Sequence, residues 1–545
     1  MSDAITSQSE RLAEPEPKPA LNGEQQQDLE EDAEAWQANR QVVMIMVCLI
    51  TVTLVVAIDA TILVPAFPTI SNALQGTTSE TFWAGTSYLL TSSTFQPLIG
   101  ALSGVIGRRE MFITTIVLFT AGTLIACLAQ DFTTLLAGRT VQGIGGGGII
   151  TLNLIIITDM VPLQQRPKYF GVSLVSVSAG MIAGPLIGGA IAQEATWRLL
   201  FYINFPFCAI GLATAPWVIR LGPRQPLRLK KLRTEIDWIG LVLFLASTTV
   251  FLIAITWAGH DYAWNSYETL CPLLLGTAGI VATVIWESRY AKTPFIRREM
   301  LYSRPLMTVY GCTLLQGLLM YAHVLYLALW LIGIKGRTPL MTGVALLPIF
   351  GGMIVASISI GFAVSRIGHW KWAVWLGWGI QTLAAGLLIL LDPETTTAEW
   401  AIIFVVLGLG QGALLISHNL AVQGIARPAD VAYATALFAF TRSVGFCLGL
   451  AVGDAILENK LSLLLNDAGL PASIAENAES YVFKFFEDQE GDALRSQVLS
   501  LFGEAATFLF QVMTGISGGG LLLSLTIRGD FSLRKASTQR TGQDH

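Results

Sequence analysis

Charge is scarce in this sequence. Asp, Glu, Lys and Arg make up only 13% of its 545 residues, against about 25% in soluble globular proteins, which excludes an ordinary water-soluble fold. No GxxxxGK[ST] loop occurs, so the chain has no phosphate cradle of its own for doing work with ATP. No Cys/His cluster has zinc spacing and no Ser/His/Asp set presents itself, so neither a metal site nor a catalytic triad is expected, and the chain reads as no enzyme. The net charge of −5 is small, and nucleic acid is not an expected partner. Six cysteines, Cys48, Cys127, Cys208, Cys271, Cys312 and Cys447, lie within or beside apolar runs; they read as small hydrophobes, and no structural disulfide is expected.

What the chain has is apolar length. Hydrophobic residues are 53% of the total and the mean hydropathy is +0.59. A hydrocarbon core about 30 Å thick takes roughly 20 apolar residues per helical crossing. Long apolar runs fall near 42–66, 81–102, 112–129, 134–158, 169–191 and 198–219, then near 237–258, 269–287, 305–331, 342–364, 372–391, 399–422, 432–455 and 505–527. The fold expected is therefore an all-α membrane protein with 14 transmembrane helices in the lipid bilayer.

The loops orient it. With the N-terminus inside, cytoplasmic connections and the C-tail hold 22 Lys and Arg, and the opposite connections hold five. This asymmetry predicts both ends in the cytoplasm. Residues 1–41, acidic and glutamine-rich around Gln25 to Asp32, are expected to be a disordered cytoplasmic tail without the features of a secretory signal. A six-helix half over 42–220, a basic connection over 221–236, an inserted pair over 237–287, a connection over 288–304, a second half over 305–527 and a tail over 528–545 complete the division. Within the second half, 456–504 is expected to be an extracellular loop. It mixes Val482, Phe483, Phe485 and Phe486 with Glu487, Asp488, Glu490 and Asp492, as either an interfacial helix or a surface loop would.

Three patterns recur at nearly constant offset. Gly100 and Gly107 match Gly361 and Gly368; Gln142-Gly143 matches Gln411-Gly412; and Gly180, Gly184, Gly188 match Gly445, Gly449, Gly453. Three coincidences in order point to parallel repeats, an architecture that places substrate near the bilayer midplane between the halves. Gly143, Gly145 and Gly148 fit a GxGxxG spacing, but they lie inside an apolar run with no strand before them, which removes the dinucleotide reading.

Ionisable groups in lipid are costly and mark function by default. Asp59, in the outer part of the first run, and Arg139, in the outer part of the fourth, should reach similar depth and pair. Two readings stand: a fixed salt bridge that orients two helices, or a switch in which protonating Asp59 frees Arg139 for substrate or for Gln142. Tyr88, Ser92 and Gln96 form a polar stripe at i, i+4, i+8, facing either the central cavity or a neighbouring helix. Gln316 with His323 and Gln411 with His418 repeat the device at i, i+7, and Arg442 is the second half's intramembrane cation. These residues and Gln142 are the candidate substrate contacts. Gly180, Gly184, Gly188 and Gly189, with Pro185, allow close helix approach and a bend, serving as static packing or as a sliding surface.

At these residues the chain resembles the drug:proton antiporters of the major facilitator superfamily, specifically the 14-helix group abundant in fungi that exports drugs or secondary metabolites. The markers are Asp59-Ala60-Thr61-Ile62 with Pro65 and Pro68, Arg139 to Gly145, Gly180 to Gly189, and Trp197 to Pro206. The resemblance implies the major-facilitator fold, proton coupling through Asp59 and Arg139, and exchange by way of the Gly-Pro motif. It implies energy from a proton gradient with no cofactor, a small-molecule substrate, a monomer, and the plasma membrane or the vacuolar membrane. The conformational loop G-x-L-x-D-x-x-G-R-[RK] is matched by Gly100, Leu102, Gly107, Arg108 and Arg109, but Gly104 stands where the family has its acid. The charge latch attributed to that acid is therefore not expected here in the usual form. A siderophore or nutrient permease of the same fold and a non-transporting membrane sensor remain alternatives.

Overall fold

The computed structural model describes residues 38–220, 236–258, 262–297, 300, 302–471, 473–476 and 492–528. The N-tail, most of the 221–236 connection, the aromatic and acidic run from Val482 to Glu490, and the tail from 529 lie outside the described residues.

The long helices are α1 (Arg40–Ile62), α2 (Thr78–Thr94), α3 (Gln96–Ile106), α4 (Arg108–Cys127), α5 (Phe132–Met160), α6 (Arg166–Glu194), α7 (Asn204–Val218), α8 (Trp238–Trp257), α9 (Tyr267–Arg289), α10 (Arg304–Gly333), α11 (Leu347–Ile367), α12 (Lys371–Leu388), α13 (Thr397–Ile425), α14 (Val431–Asp467) and α15 (Asp492–Leu525). Their starts are written in polar caps. Thr77 with Glu80 and Thr396 with Glu399 form capping boxes on α2 and α13, supplying partners for otherwise orphaned N–H groups. Asp131 accepts from the Thr134 backbone N–H at 2.7 Å to begin α5, and that bond holds its carboxyl below the usual carboxylate range.

Among the described residues, twelve helices are long and apolar enough to cross a membrane, or thirteen counting α2 and α3 as one bent span. The expected fourteen is not confirmed by this count. The run near 372–391 is the 18-residue α12, in which Lys371, Gln381 and Trp372, Trp375 and Trp378 dilute the apolar residues. The run near 81–102 is not one straight helix: it breaks at Phe95 and turns by 44°, because Pro97 has no N–H to continue the ladder. The stretch 456–504 is helical at both ends. Helix α14 runs on to Asp467 and α15 already begins at Asp492, so much of the expected loop is helix. The 37 residues of α14 span about 55 Å at 1.5 Å per residue, well beyond a hydrocarbon core. Helix α6 passes Pro185 without a break.

The same packing is used twice. In the first half α1 lies against α6 and α7, α5 against α2 and α4, and α4 against α7; in the second, α10 lies against α14 and α15, α13 against α11 and α12, and α12 against α15. Across the halves α6 meets α11, while α14 meets α2 and α3. The paired helices α8 and α9 pack on each other, and α8 also touches α2 and α14. On α9, Leu274, Leu275, Val281 and Ile285 are exposed, an apolar face that lipid would cover.

The repeated glycines have a physical reason. Gly107 (φ +115°) and Gly368 (φ +78°) stop α3 and α11 in backbone conformations that side chains resist. A Cβ at Gly100 would strike Ala436 and one at Gly361 the Pro167 backbone, so this pair lets the halves touch. Gly180, Gly184 and Gly188 bring α6 onto the backbone of α1 at Leu54, Ile58 and Ile62, and Gly445 and Gly449 bring α14 onto α10 at Leu314 and Leu318. The GxGxxG spacing has the same origin: Gly143 packs on Tyr88 of α2, and Gly145 and Gly148 on Phe119 and Thr115 of α4.

Candidate functional site

The close approach of α6 to α1 fixes the last turns of α1, and there Asp59 points inward with no exposed surface. Helix α5 brings Arg139, 1% exposed, beside it. The Arg139 Nη1 donates to Asp59 Oδ2 at 2.6 Å and to Gln142 Oε1 at 2.7 Å, and Nε donates to the Ala84 carbonyl at 3.0 Å. Asp59 Oδ1 accepts from Gln142 Nε2 at 2.8 Å and from Asn204 Nδ2 at 2.7 Å. Gln142 Nε2 also donates to the Thr123 hydroxyl at 2.9 Å. Tyr88 closes one side, its ring centroid 4.3 Å from the guanidinium carbon, a cation–π contact. Asp59, Arg139 and Gln142 therefore meet as the sequence suggests, but Arg139 and Gln142 are already bonded to each other in this state.

A carboxylate with three N–H donors, one of them a guanidinium, is satisfied as an anion although buried. Replacing either charge by an apolar group leaves the other without compensation. Adding a proton to Asp59 cancels the attraction and supplies an O–H that none of its three present partners, all donors, can accept without rearranging. The constellation therefore has two electrostatic states with different hydrogen-bond requirements.

The remaining candidates divide. Tyr88 belongs to the ion-pair site, with its ring edge against Gly146 of α5. Ser92 is buried, its carbonyl against Gly147. Gln96 lies past the bend and donates to Ser443 Oγ at 3.2 Å on α14. Tyr88 and Ser92 thus both face the neighbouring helix α5, while Gln96, beyond the turn at Phe95, faces α14 instead. In the second half, Gln316 Nε2 donates to Gln411 Oε1 at 2.9 Å, which joins the two stripes. His323 and His418 are buried, His418 with its ring 6.0 Å from that of Trp378, and no hydrogen bond links either imidazole to the glutamines. Arg442 is half-buried between Phe438 and Phe446, its guanidinium carbon 5.7 and 5.8 Å from their centroids.

Where the family's loop acid would stand, a Cβ on Gly104 would lie 3.6 Å from the Tyr433 hydroxyl and 3.8 Å from Arg108 Nη1. Arg108 instead bonds Asp159 at 2.9 Å, and Arg109, half-buried, follows it. Helix α14 begins beside a different pair: Asp430 meets Arg297 at 2.6 Å, and Arg297 also lies 5.2 Å from the Tyr433 ring centroid. The cation thus comes from the segment that follows α9. Buried Arg166 joins the halves by donating to Gln423 Oε1 at 2.9 Å, and Ser365 donates to the Gln164 carbonyl.

Sequence reasoning missed Asn204, Thr123, Arg166 and Gln423 as contact residues. It also missed Arg198, which donates to the Cys127 and Ala129 carbonyls and stacks 4.6 Å from Trp197, satisfying the end of α4. Arg198 and Asn204 do fall within the Trp197 to Pro206 marker, but that marker does not say what they touch; Thr123, Arg166 and Gln423 show only as polar residues in or beside apolar runs.

Comparison with known proteins agrees with this architecture. The profile of the Major Facilitator Superfamily matches residues 49–450. The chain is 38% identical over 510 residues to MFS transporter L2 of a Phoma species, covering 93% of this chain and 85% of that one. It is 34% identical over 461 residues to the MFS efflux transporter aclA of Aspergillus oryzae, covering 83% of each. In fold it is similar to the human organic anion transporter MFSD10, with a TM-score of 0.56 at 14% identity, over 89% of this chain and all of that one.

Proposed function

Because the chain belongs to the major facilitator superfamily, we propose that it is a secondary active exporter that exchanges external protons for an amphipathic organic molecule, such as a drug, toxin or secondary metabolite. The supporting observation is the sealed Asp59–Arg139 pair, with its Gln142 and Asn204 donors, at the seam where α1, α5 and α7 converge. The ionised acid holds these helices together; the protonated acid releases Arg139 and alters which arrangement of the halves is favoured. The efflux designation of the Aspergillus oryzae relative supports the outward direction. Two related halves that meet through α6–α11 and through α14 with α2 and α3 suit alternating access to a site between them. Substrate contacts are assigned to Gln96, Gln316, Gln411 and Arg442, with Tyr88, Ser92, His323 and His418 as further candidates. Both termini are assigned to the cytoplasm and the protein to the plasma membrane, acting as a monomer without a cofactor.

The test is reconstitution in proteoliposomes with an imposed pH gradient and a panel of amphipathic organic compounds. Gradient-driven flux that is lost in Asp59→Asn supports the proposal. Flux that ignores the gradient, or full gradient-driven flux in Asp59→Asn, rejects proton coupling through this residue.

A further inference from the structure

Among the partners of Asp59, one has capacity to spare. Gln142 is fully committed: its Oε1 accepts from Arg139 while its Nε2 serves both Asp59 and Thr123. Arg139 can only donate. Asn204, with no exposed surface, donates from Nδ2 to Asp59 Oδ1, but its Oδ1 is buried and makes no hydrogen bond. A buried carboxamide oxygen without a donor carries a desolvation cost, and a stable helix start offers no reason to keep it: Asn204 is the first residue of α7 and its side chain does not cap that helix.

We propose that Asn204 is a positioning residue for proton exchange at Asp59, serving the acid in both protonation states. This deepens the reading above and rests on it. With Asp59 ionised, Nδ2 donates to the carboxylate, as in the structure. When a proton from the aqueous phase binds a carboxylate oxygen, the Asn204 amide turns about its terminal bond and its oxygen accepts the new O–H. The proton stays on Asp59, Arg139 keeps its positive charge, and neither state leaves the acid unpaired. The other ionisable groups facing Asp59 are Arg139 of α5, Tyr88 of α2 and Cys208 one turn further along α7. Helix α4 contributes only the Thr123 hydroxyl through Gln142, and α6 contributes glycines. Among the described residues, no other neutral group that hydrogen-bonds the carboxylate has a free acceptor.

The experiment is an infrared pH titration of the full chain in lipid, following the protonated carboxyl stretch that vanishes in Asp59→Asn. It needs no substrate. Asn204→Leu takes away the acceptor of the new O–H and should shift the stretch to the frequency of a free carboxyl. Asn204→Gln, which keeps both functions on a longer arm, should reverse part of that shift. A protonated band at the same frequency in wild type and Asn204→Leu overturns the role of Asn204 alone. A carboxyl that never titrates in wild type overturns the proton switch together with it. Near-UV circular dichroism on the same samples establishes that each variant scored is folded.

Discussion

Removing the two charges of the buried pair singly and together gives unequal, strongly coupled losses. In Asp59→Leu the Arg139 guanidinium keeps the Ala84 carbonyl, Gln142 Oε1 and the Tyr88 ring but no anion, in a site where it is 1% exposed. A guanidinium does not neutralise by losing a proton. Breaking a buried pair this way costs about 3–5 kcal/mol. Arg139→Leu leaves an acid that escapes by taking up a proton, so its cost should be smaller and should fall as the pH is lowered. The double substitution Asp59→Leu with Arg139→Leu removes both unsatisfied charges. Apolar replacement of a whole pair is often neutral, so the double variant should be more stable than Asp59→Leu by about 2 kcal/mol or more. Denaturant unfolding in detergent, followed by tryptophan fluorescence, measures all four corners. Additive losses, with coupling below about 0.5 kcal/mol, would refute the claim that these groups stabilise one another in a dry site.

The glycines separate by what a methyl group would meet. Gly184→Val forces a side chain onto Thr61 and the Ile58 carbonyl of α1, and should cost about 1–3 kcal/mol as overpacking does, with flux lost in the folded fraction. Gly518→Ala in α15 meets nothing within 4 Å and should be neutral or stabilising by up to about 1 kcal/mol; thermal unfolding in detergent reads both.

Much of this was legible because lipid permits so few arrangements of the backbone. The apolar runs place most of the helices, and a costly Asp and Arg at matching depth on opposed runs leave little choice but to meet. The repeated glycines were legible as a duplication; their cause, positive φ at Gly107 and Gly368 and contact between halves at Gly100 and Gly361, was not. The break at Phe95 is hidden because both sides of it are apolar and Pro97 is tolerated in the first turn of the new helix. The reach of α14 to Asp467 was missed because its last turns leave the hydrocarbon and lose the apolar signal that marks a crossing. Asn204 and the Arg166–Gln423 bond are tertiary facts: 145 residues separate Asp59 from Asn204 and 257 separate Arg166 from Gln423, and no local pattern carries such pairings.

The central claim is that the charge on Asp59 sets the balance between arrangements of the two halves. Spin labels at Lys168 and Arg366, exposed residues beside the Ser365–Gln164 contact, report the separation of α6 and α11 by pulsed electron spin resonance in a Cys271→Ala background, which removes the exposed native thiol. The account predicts that wild type changes its distance distribution between mildly alkaline and mildly acidic buffer, and that Asp59→Asn at alkaline pH already shows the acidic distribution. An Asp59→Asn distribution identical to that of alkaline wild type at every pH would contradict it.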